Sequence, residues 1–457
     1  MVHRPSCYES GSPIAGHWIA CRPFRHRLRC LVAWAVLAML LMVGCQPSPP
    51  STASAPAVVI GAIYPFSGPS ADSGKEIRDA VEMAVEMVNT ARDLPLPMAE
   101  FAGLHRHGGA PIRVVFADSE GDEAIAGRRV VELVNKHHVV ALMGCYNSTV
   151  TAAASEQAEV LRIPFLNATS TSPVLTQRGL LWFFRTTPDD AAFAENFFDF
   201  FEALTGQGVS PVPHRLALVY ENRLWGTSVA MAERKLAARF GYQVTADVPY
   251  DAKTQDVSRE LAQIAGGMPG IILQASYADD AIRFMTGYRA LNIQPTAIVA
   301  MNAGFTSPHF LATLGQGGEY VFSREVWALD LADKKPLVGR INDLFRQRTG
   351  RNMSGTSARA FTGLIVLADA INRAETLSAD AIRGALRQTH FGAHQVVMPW
   401  GGVSFDPETG QNTLGNGIIV QVQEGMYHTV WPKELANRSA VWPMPAWPAG
   451  GDGGANE

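Results

Sequence analysis

The chain has 457 residues, 47 % of them hydrophobic and 18 % charged, which excludes a disordered chain, a collagen and a disulfide-dense miniprotein and leaves room for about two to four folded units. Lysine plus arginine number 38 against 42 acids, a net charge of −4 with no basic tract, so a nucleic-acid partner held by phosphate neutralisation is excluded. Four of the five cysteines, Cys7, Cys21, Cys30 and Cys45, precede the body and only Cys145 lies within it, so no disulfide framework is expected.

The chain opens with an address. Arg22, Arg25, Arg27 and Arg29 precede an uncharged run over residues 30–43, the order of a basic segment followed by a secretory apolar segment. At about 1.5 Å per residue that run falls short of the roughly 30 Å hydrocarbon core, so an export signal over 1–44 is expected rather than a spanning helix. It ends Leu41-Met42-Val43-Gly44-Cys45, which resembles a bacterial lipobox. That resemblance implies that Cys45 is lipidated and becomes the first mature residue, anchoring an exported protein to a membrane in the periplasm or at the cell surface. The Pro, Ser and Ala stretch over 45–56 then reads as a flexible tether.

The body alternates strand and helix. A buried strand is expected over 58–63, then an amphipathic helix over 75–89 with Ile77, Ala80, Val81, Ala84, Val85 and Val88 on one face. Strands over 112–116, 139–143 and 163–166 follow, separated by helices over 123–136 and 150–161. The alternation restarts with strands over 216–220, 243–248, 271–275 and 297–300 and helices over 227–240, 257–265 and 279–291. Two such series imply an α/β protein of two doubly wound parallel-sheet lobes. Helices over 337–349, 357–374 and 379–388 come late and need a sheet to cover, so the chain is expected to return to the first lobe through a hinge of several strands. Ligands are then expected in the cleft at the carboxyl ends of both sheets.

Several patterns in the body look catalytic and fail on inspection. The segment from Gly68 to Lys75 places five residues between its glycines where a phosphate loop needs four, and Glu76 stands where a hydroxyl should bind magnesium. The pairs His390/His394 and His137/His138 lack further ligands, so no metal site and no cofactor is expected. Gly355-Thr356-Ser357-Ala358-Arg359 lacks the closing glycine of a nucleophile elbow. Cys145 has no identifiable base and reads as a buried small thiol. What remains is two hydroxyl-rich loops at strand ends, Asn147-Ser148-Thr149 and Thr169-Ser170-Thr171-Ser172, each before a helix. Free N–H groups at a helix start joined by short hydroxyls can bind a carboxylate, although plain N-capping is the more ordinary use of any one such residue.

With those loops in place, the chain resembles a type I periplasmic binding protein of the leucine/isoleucine/valine-binding family over residues 58–431. The resemblance rests on ordered blocks: Ile60-Gly61-Ala62-Ile63-Tyr64-Pro65-Phe66-Ser67-Gly68-Pro69, Ala117-Asp118-Ser119, Ile163-Pro164-Phe165-Leu166, Phe184-Arg185-Thr186, Leu224-Trp225-Gly226 and Phe405-Asp406-Pro407-Glu408-Thr409-Gly410. It implies one lobe over 57–185 and 326–404, a second over 186–325 and 405–434, and a disordered tail over 435–457. It implies that Ser148, Thr169 and Thr171, with Asn147 beside them, hold a ligand carboxylate, and that Trp225 and Tyr277 close over it from the second lobe. The acid that pairs with a ligand ammonium in branched-chain amino acid receptors should fall near Asn302-Ala303-Gly304, where there is none. Either Asp72, Glu221, Asp279 or Asp280 replaces it or the ligand has no ammonium. The implied function is an exported lipoprotein receptor of an ABC importer, not an enzyme, that passes an amino acid or related small carboxylate or amide to permease subunits. A sensor of the same fold without transport is the alternative; a cleft enzyme using Cys145 or Asp118 is the alternative of another class.

Overall fold

The computed structural model describes residues 55–447. The export segment and Cys45 lie outside them. Five strands form the first sheet: β1 (Val58–Tyr64), β2 (Ile112–Asp118), β3 (Ala141–Gly144), β4 (Phe165–Asn167) and β5 (Phe183–Arg185), in the order β2-β1-β3-β4-β5 and parallel throughout. The second sheet holds β6 (Arg215–Glu221), β7 (Gln243–Tyr250), β8 (Ile271–Ala275), β9 (Ala297–Ala300) and β10 (Phe322–Glu325). After a two-stranded ladder of β11 (His390–Gly392) and β12 (Gly402–Ser404), it is completed by β13 (Ile418–Gln423) and β14 (Met426–Trp431). Its order is β14-β13-β10-β9-β8-β6-β7. The sheet is parallel from β7 to β10, while β13 and β14 add an antiparallel edge that the strand-helix alternation did not announce.

Every residue of β8 and β9 is buried, as expected for strands covered by helices on both faces. The helices are α1 (Ala71–Asn89), α2 (Glu123–His137), α3 (Ser148–Val160), α4 (Asp190–Gly206), α5 (Leu224–Phe240), α6 (Ser258–Gly267), α7 (Ala278–Ala290), α8 (Pro308–Leu314), α9 (Pro336–Thr349), α10 (Gly355–Arg373) and α11 (Ala379–Arg387). The late helix α10 packs along α1, and α9 touches α1 too, so the chain does return to the first sheet. No helix among the described residues is long and apolar enough to cross a membrane.

Strands β5 and β10 to β14 and helices α4 and α8 have no counterpart in the sequence expectation, and the tail departs from it. Helix α4 was not foreseen because Phe193, Phe197, Phe198, Phe200 and Phe201 bury most of its circumference, which leaves only the narrow polar stripe of Glu195, Asp199 and Glu202 to reveal a 3.6-residue period. The tail, expected to be disordered from residue 435, is held against the second sheet as far as Trp447. Gln421 exchanges hydrogen bonds with Val441, Trp442 Nε1 donates to the Pro211 carbonyl at 2.9 Å, and Met444 is buried. Its tryptophans give this segment apolar surface to bury, which its proline-rich composition concealed.

The passages between the sheets lie side by side. Buried Arg185, at the end of β5, donates from Nη1 to the Ser172 carbonyl at 2.6 Å and from Nε to Gln411 Oε1 at 2.6 Å, while its backbone pairs with Gly410 and Asn412. Burial pulls its guanidinium down to about 10, against the opposing pull of Asp189 and Asp190.

Candidate functional site

In both sheets the strand order reverses beside the central strands, and the loops at the carboxyl ends there face one another. From the first lobe, β3 runs through Tyr146 and Asn147 into α3, and β4 runs into Ala168-Thr169-Ser170-Thr171-Ser172. Asn147 stands at the N-cap of α3 but its side chain caps nothing, so the first N–H groups of that helix have no side-chain acceptor. The two loops are tied by hydroxyls: Thr169 Oγ1 donates to the Cys145 carbonyl at 2.7 Å, and Ser170 Oγ lies 2.9 Å from the Cys145 and Tyr146 carbonyls and 2.5 Å from Thr151 Oγ1.

From the second lobe, β6 turns into α5 at a point only glycine permits. A Cβ on Gly226 would lie 2.1 Å from the Glu221 carbonyl oxygen. That turn presents Trp225, and the Glu221 carboxylate accepts from the N–H groups of Arg223 and Gly226 at 2.8 and 2.9 Å. Tyr277 occupies the N-cap of α7 after β8, with its ring centroid 4.9 Å from Trp225 and 6.0 Å from Tyr146. After β9, Asn302 and Ala303 both take positive φ, 57° and 49°. Asn302 is held there by its N–H on Ser323 Oγ at 3.1 Å and by Nδ2 on Thr306 Oγ1 at 2.8 Å and on Glu325 Oε1.

Between these loops lies a small cavity of about 20 Å³, room for about one water-sized body. A larger guest therefore enters only with the lobes further apart or Trp225 and Tyr277 displaced. Ser148, Thr169, Thr171, Trp225, Tyr277 and Ala303, all singled out from the sequence, line it together. Asn147 does not; it stands at the N-cap of α3, with its side-chain oxygen buried and unpartnered. Thr169 lines the cavity but its proton is engaged by the Cys145 carbonyl, whereas Ser148 Oγ only accepts from the Ser172 N–H at 3.4 Å and Thr171 lies beside Asp190.

Ser170 and Asn302, named in the sequence only as members of their loops, also line the cavity, and the sequence reading missed Tyr146, Arg324 and Arg359. The arginines lie on elements that the sequence reading did not connect to the cleft. Arg324 is a lone cation in the buried strand β10, and Arg359 sits among buried residues near the start of α10. Burial raises the Tyr146 and Tyr277 phenols above their ordinary range, so both remain neutral hydrogen-bonding groups.

Of the acids considered as partners for an ammonium, Glu221 is engaged at the start of α5, and Asp280 pairs with Arg283 at 2.8 Å. Asp72 and Asp279 line a separate outer opening of about 530 Å³ that shares only Ala303 with the cavity. Cys145 is buried and burial raises its thiol, the reverse of what a nucleophile requires.

The periplasmic binding protein family model matches residues 57–426. A Leu/Ile/Val-binding protein homologue of Brucella suis is 25 % identical over 413 residues, covering 89 % of this chain and 97 % of that one. Among solved structures, a leucine-binding protein of Thermotoga maritima superposes with a TM-score of 0.70 at 19 % identity, covering 82 % of this chain and 97 % of that one. A solute-binding protein of an ABC transporter from Rhodopseudomonas palustris, in complex with 3,4-dihydroxybenzoic acid, gives 0.68 at 16 % identity, covering 85 % and 99 %. These relatives are binding proteins and not enzymes. With its two facing lobes and this match, the chain belongs to the type I periplasmic binding proteins of the leucine/isoleucine/valine-binding family.

Proposed function

We propose that this exported solute-binding protein is a lipid-anchored receptor that captures a small carboxylate or amide between its lobes and presents the closed form to the permease of an ABC importer. The observation that supports this most is the meeting, in one cavity, of Ser148 and Thr171 from the first lobe with Trp225 and Tyr277 from the second. A ligand shifts the hinge only by its differential affinity for the closed state, so a site touching both lobes is what such a receptor needs. Residues 57–185 and 326–404 would move as one body against 186–325 and 405–434. Cys45 would carry the lipid.

Relatives in the family hold different guests, a leucine-binding protein among them and a solute-binding protein with 3,4-dihydroxybenzoic acid. The shared element is a carboxylate, which suits the open start of α3. A thermal-shift screen across amino acids, amides, urea and small carboxylates tests the reading, because a guest that binds only the folded state raises the melting temperature. A shift with a carboxylate or amide, lost in Ser148→Ala/Thr171→Ala, is expected.

A further inference from the structure

The cavity wall carries two cations and no acid. Arg359 comes from the first lobe and is largely committed to the protein, with Nη1 donating to the Thr169 carbonyl at 3.1 Å and Nη2 to Asn302 Oδ1 at 3.3 Å. Arg324 comes from the second lobe and is not. Its guanidinium carbon lies over the Phe193 ring, 3.7 Å from the centroid, with Nε near Met301 Sδ and Nη2 3.7 Å from Asp190 Oδ1. Nη1 is buried without a partner.

A buried, half-open guanidinium fork is costly until an anionic oxygen completes it. The nearby carboxylates do not line the cavity. Asp190 sits beside Arg324 and Thr171, and Glu325 accepts from the Val326 N–H at 2.6 Å and from Asn302 Nδ2. Among the described residues, the only charged side chains lining the cavity are therefore cationic, with the Asp190 and Glu325 carboxylates behind them. An ammonium placed in the cavity would face two guanidiniums in a low-dielectric space with no carboxylate opposite.

We infer that Arg324 and Arg359 make this site select a small carboxylate that carries no α-ammonium group, with Arg324 Nη1 taking one of its oxygens. The inference rests on the proposed reading of the cleft as a carboxylate site and names the class of guest.

Matched pairs that differ only in the ammonium test it: 4-methylpentanoate against L-leucine and glutarate against L-glutamate, titrated calorimetrically into the purified protein, with benzoate as a further probe. The ammonium-free member of at least one pair is expected to bind at least about tenfold more tightly than its amino acid. Arg324→Gln is expected to erase that preference and weaken the carboxylate by about tenfold or more, with Arg359→Lys retaining most of it. Melting temperatures without ligand separate lost binding from lost folding. Should Arg324→Gln fail to fold, the preference in the Arg359→Gln protein gives the same readout. Tighter binding of either amino acid than of its partner would overturn the inference while leaving the receptor reading intact. Binding of none of the five probes would overturn the carboxylate reading and the inference with it.

Discussion

Arg359 of helix α10 and Asn302 of the loop after β9 share a hydrogen bond of 3.3 Å across the cavity, a direct polar link between the two lobes. Asn302 stands where the resemblance places the acid that pairs with an amino-acid ammonium, and here it presents its amide oxygen to a cation instead. Asn302→Asp is therefore expected to form an ion pair with Arg359 and to weaken binding of simple carboxylates, by competing for the same cationic side chains. Calorimetric titration with benzoate or 4-methylpentanoate reads the change. Tighter carboxylate binding by the variant would contradict it.

Thr169 and Thr171 share a loop but should answer differently to substitution. The Thr169 hydroxyl donates to the buried Cys145 carbonyl, so Thr169→Val should cost about 1 kcal/mol of stability and leave ligand affinity nearly unchanged. Thr171→Ala should weaken carboxylate binding by roughly 1 to 3 kcal/mol. Urea denaturation and titration of both variants check the pair, and a larger affinity loss in Thr169→Val than in Thr171→Ala would reverse the assignment.

An exposed latch spans the mouth of the cleft. Arg223 of the second lobe reaches Glu123 and donates to Thr149 Oγ1 at 3.0 Å on the first, and Ser172 Oγ faces Ser228 Oγ at 2.7 Å deeper in. Exposed ion pairs contribute about 0 to 1 kcal/mol and are screened by salt. Arg223→Ala should lower affinity by up to about fivefold at low ionic strength and by less at 0.5 M salt. A loss that grows with salt would argue against a screened latch.

The buried pair Asp190 and Arg324 sets a pH dependence. Burial pushes Asp190 up to about 6, opposed by Arg324, and pulls Arg324 down to about 9. Because the folded state holds the Asp190 proton more firmly than the unfolded chain does, its contribution is complete below about pH 4 and is lost as pH rises to about 6. Burial raises Glu76, Glu221, Glu233 and Asp280 in the same direction. Relative to Asp190→Asn, which mimics the protonated form, the unmodified protein should lose stability between pH 4 and 6 in chemical denaturation. A gap that is constant over that window would contradict the assignment.

Much of the fold was legible because strands buried on both faces leave short continuous apolar runs bounded by turn residues, as in β8 and β9, and helices with a single apolar stripe leave a 3.6-residue period, as in α1. Helix α1 still began four residues before its expected start at Lys75, since the turn opening at Ala71 has no apolar face of its own. Helix α4 was hidden by its own phenylalanines, and β13 and β14 by the absence of any crossover helix to announce antiparallel strands. In the site, hydroxyls at strand ends carried a local signal. Arg324 and Arg359 did not, because one lies on a strand and the other on a helix far along the chain, and only the return of α10 to the first lobe brings them to one wall.

Titration calorimetry of the protein and of its Ser148→Ala/Thr171→Ala variant, with whichever carboxylate or amide gives the largest thermal shift, tests the two-lobed capture site most directly. One site per chain, a guest recovered unchanged, and an affinity at least about tenfold lower in the variant are predicted. Equal affinity in the two proteins would contradict it.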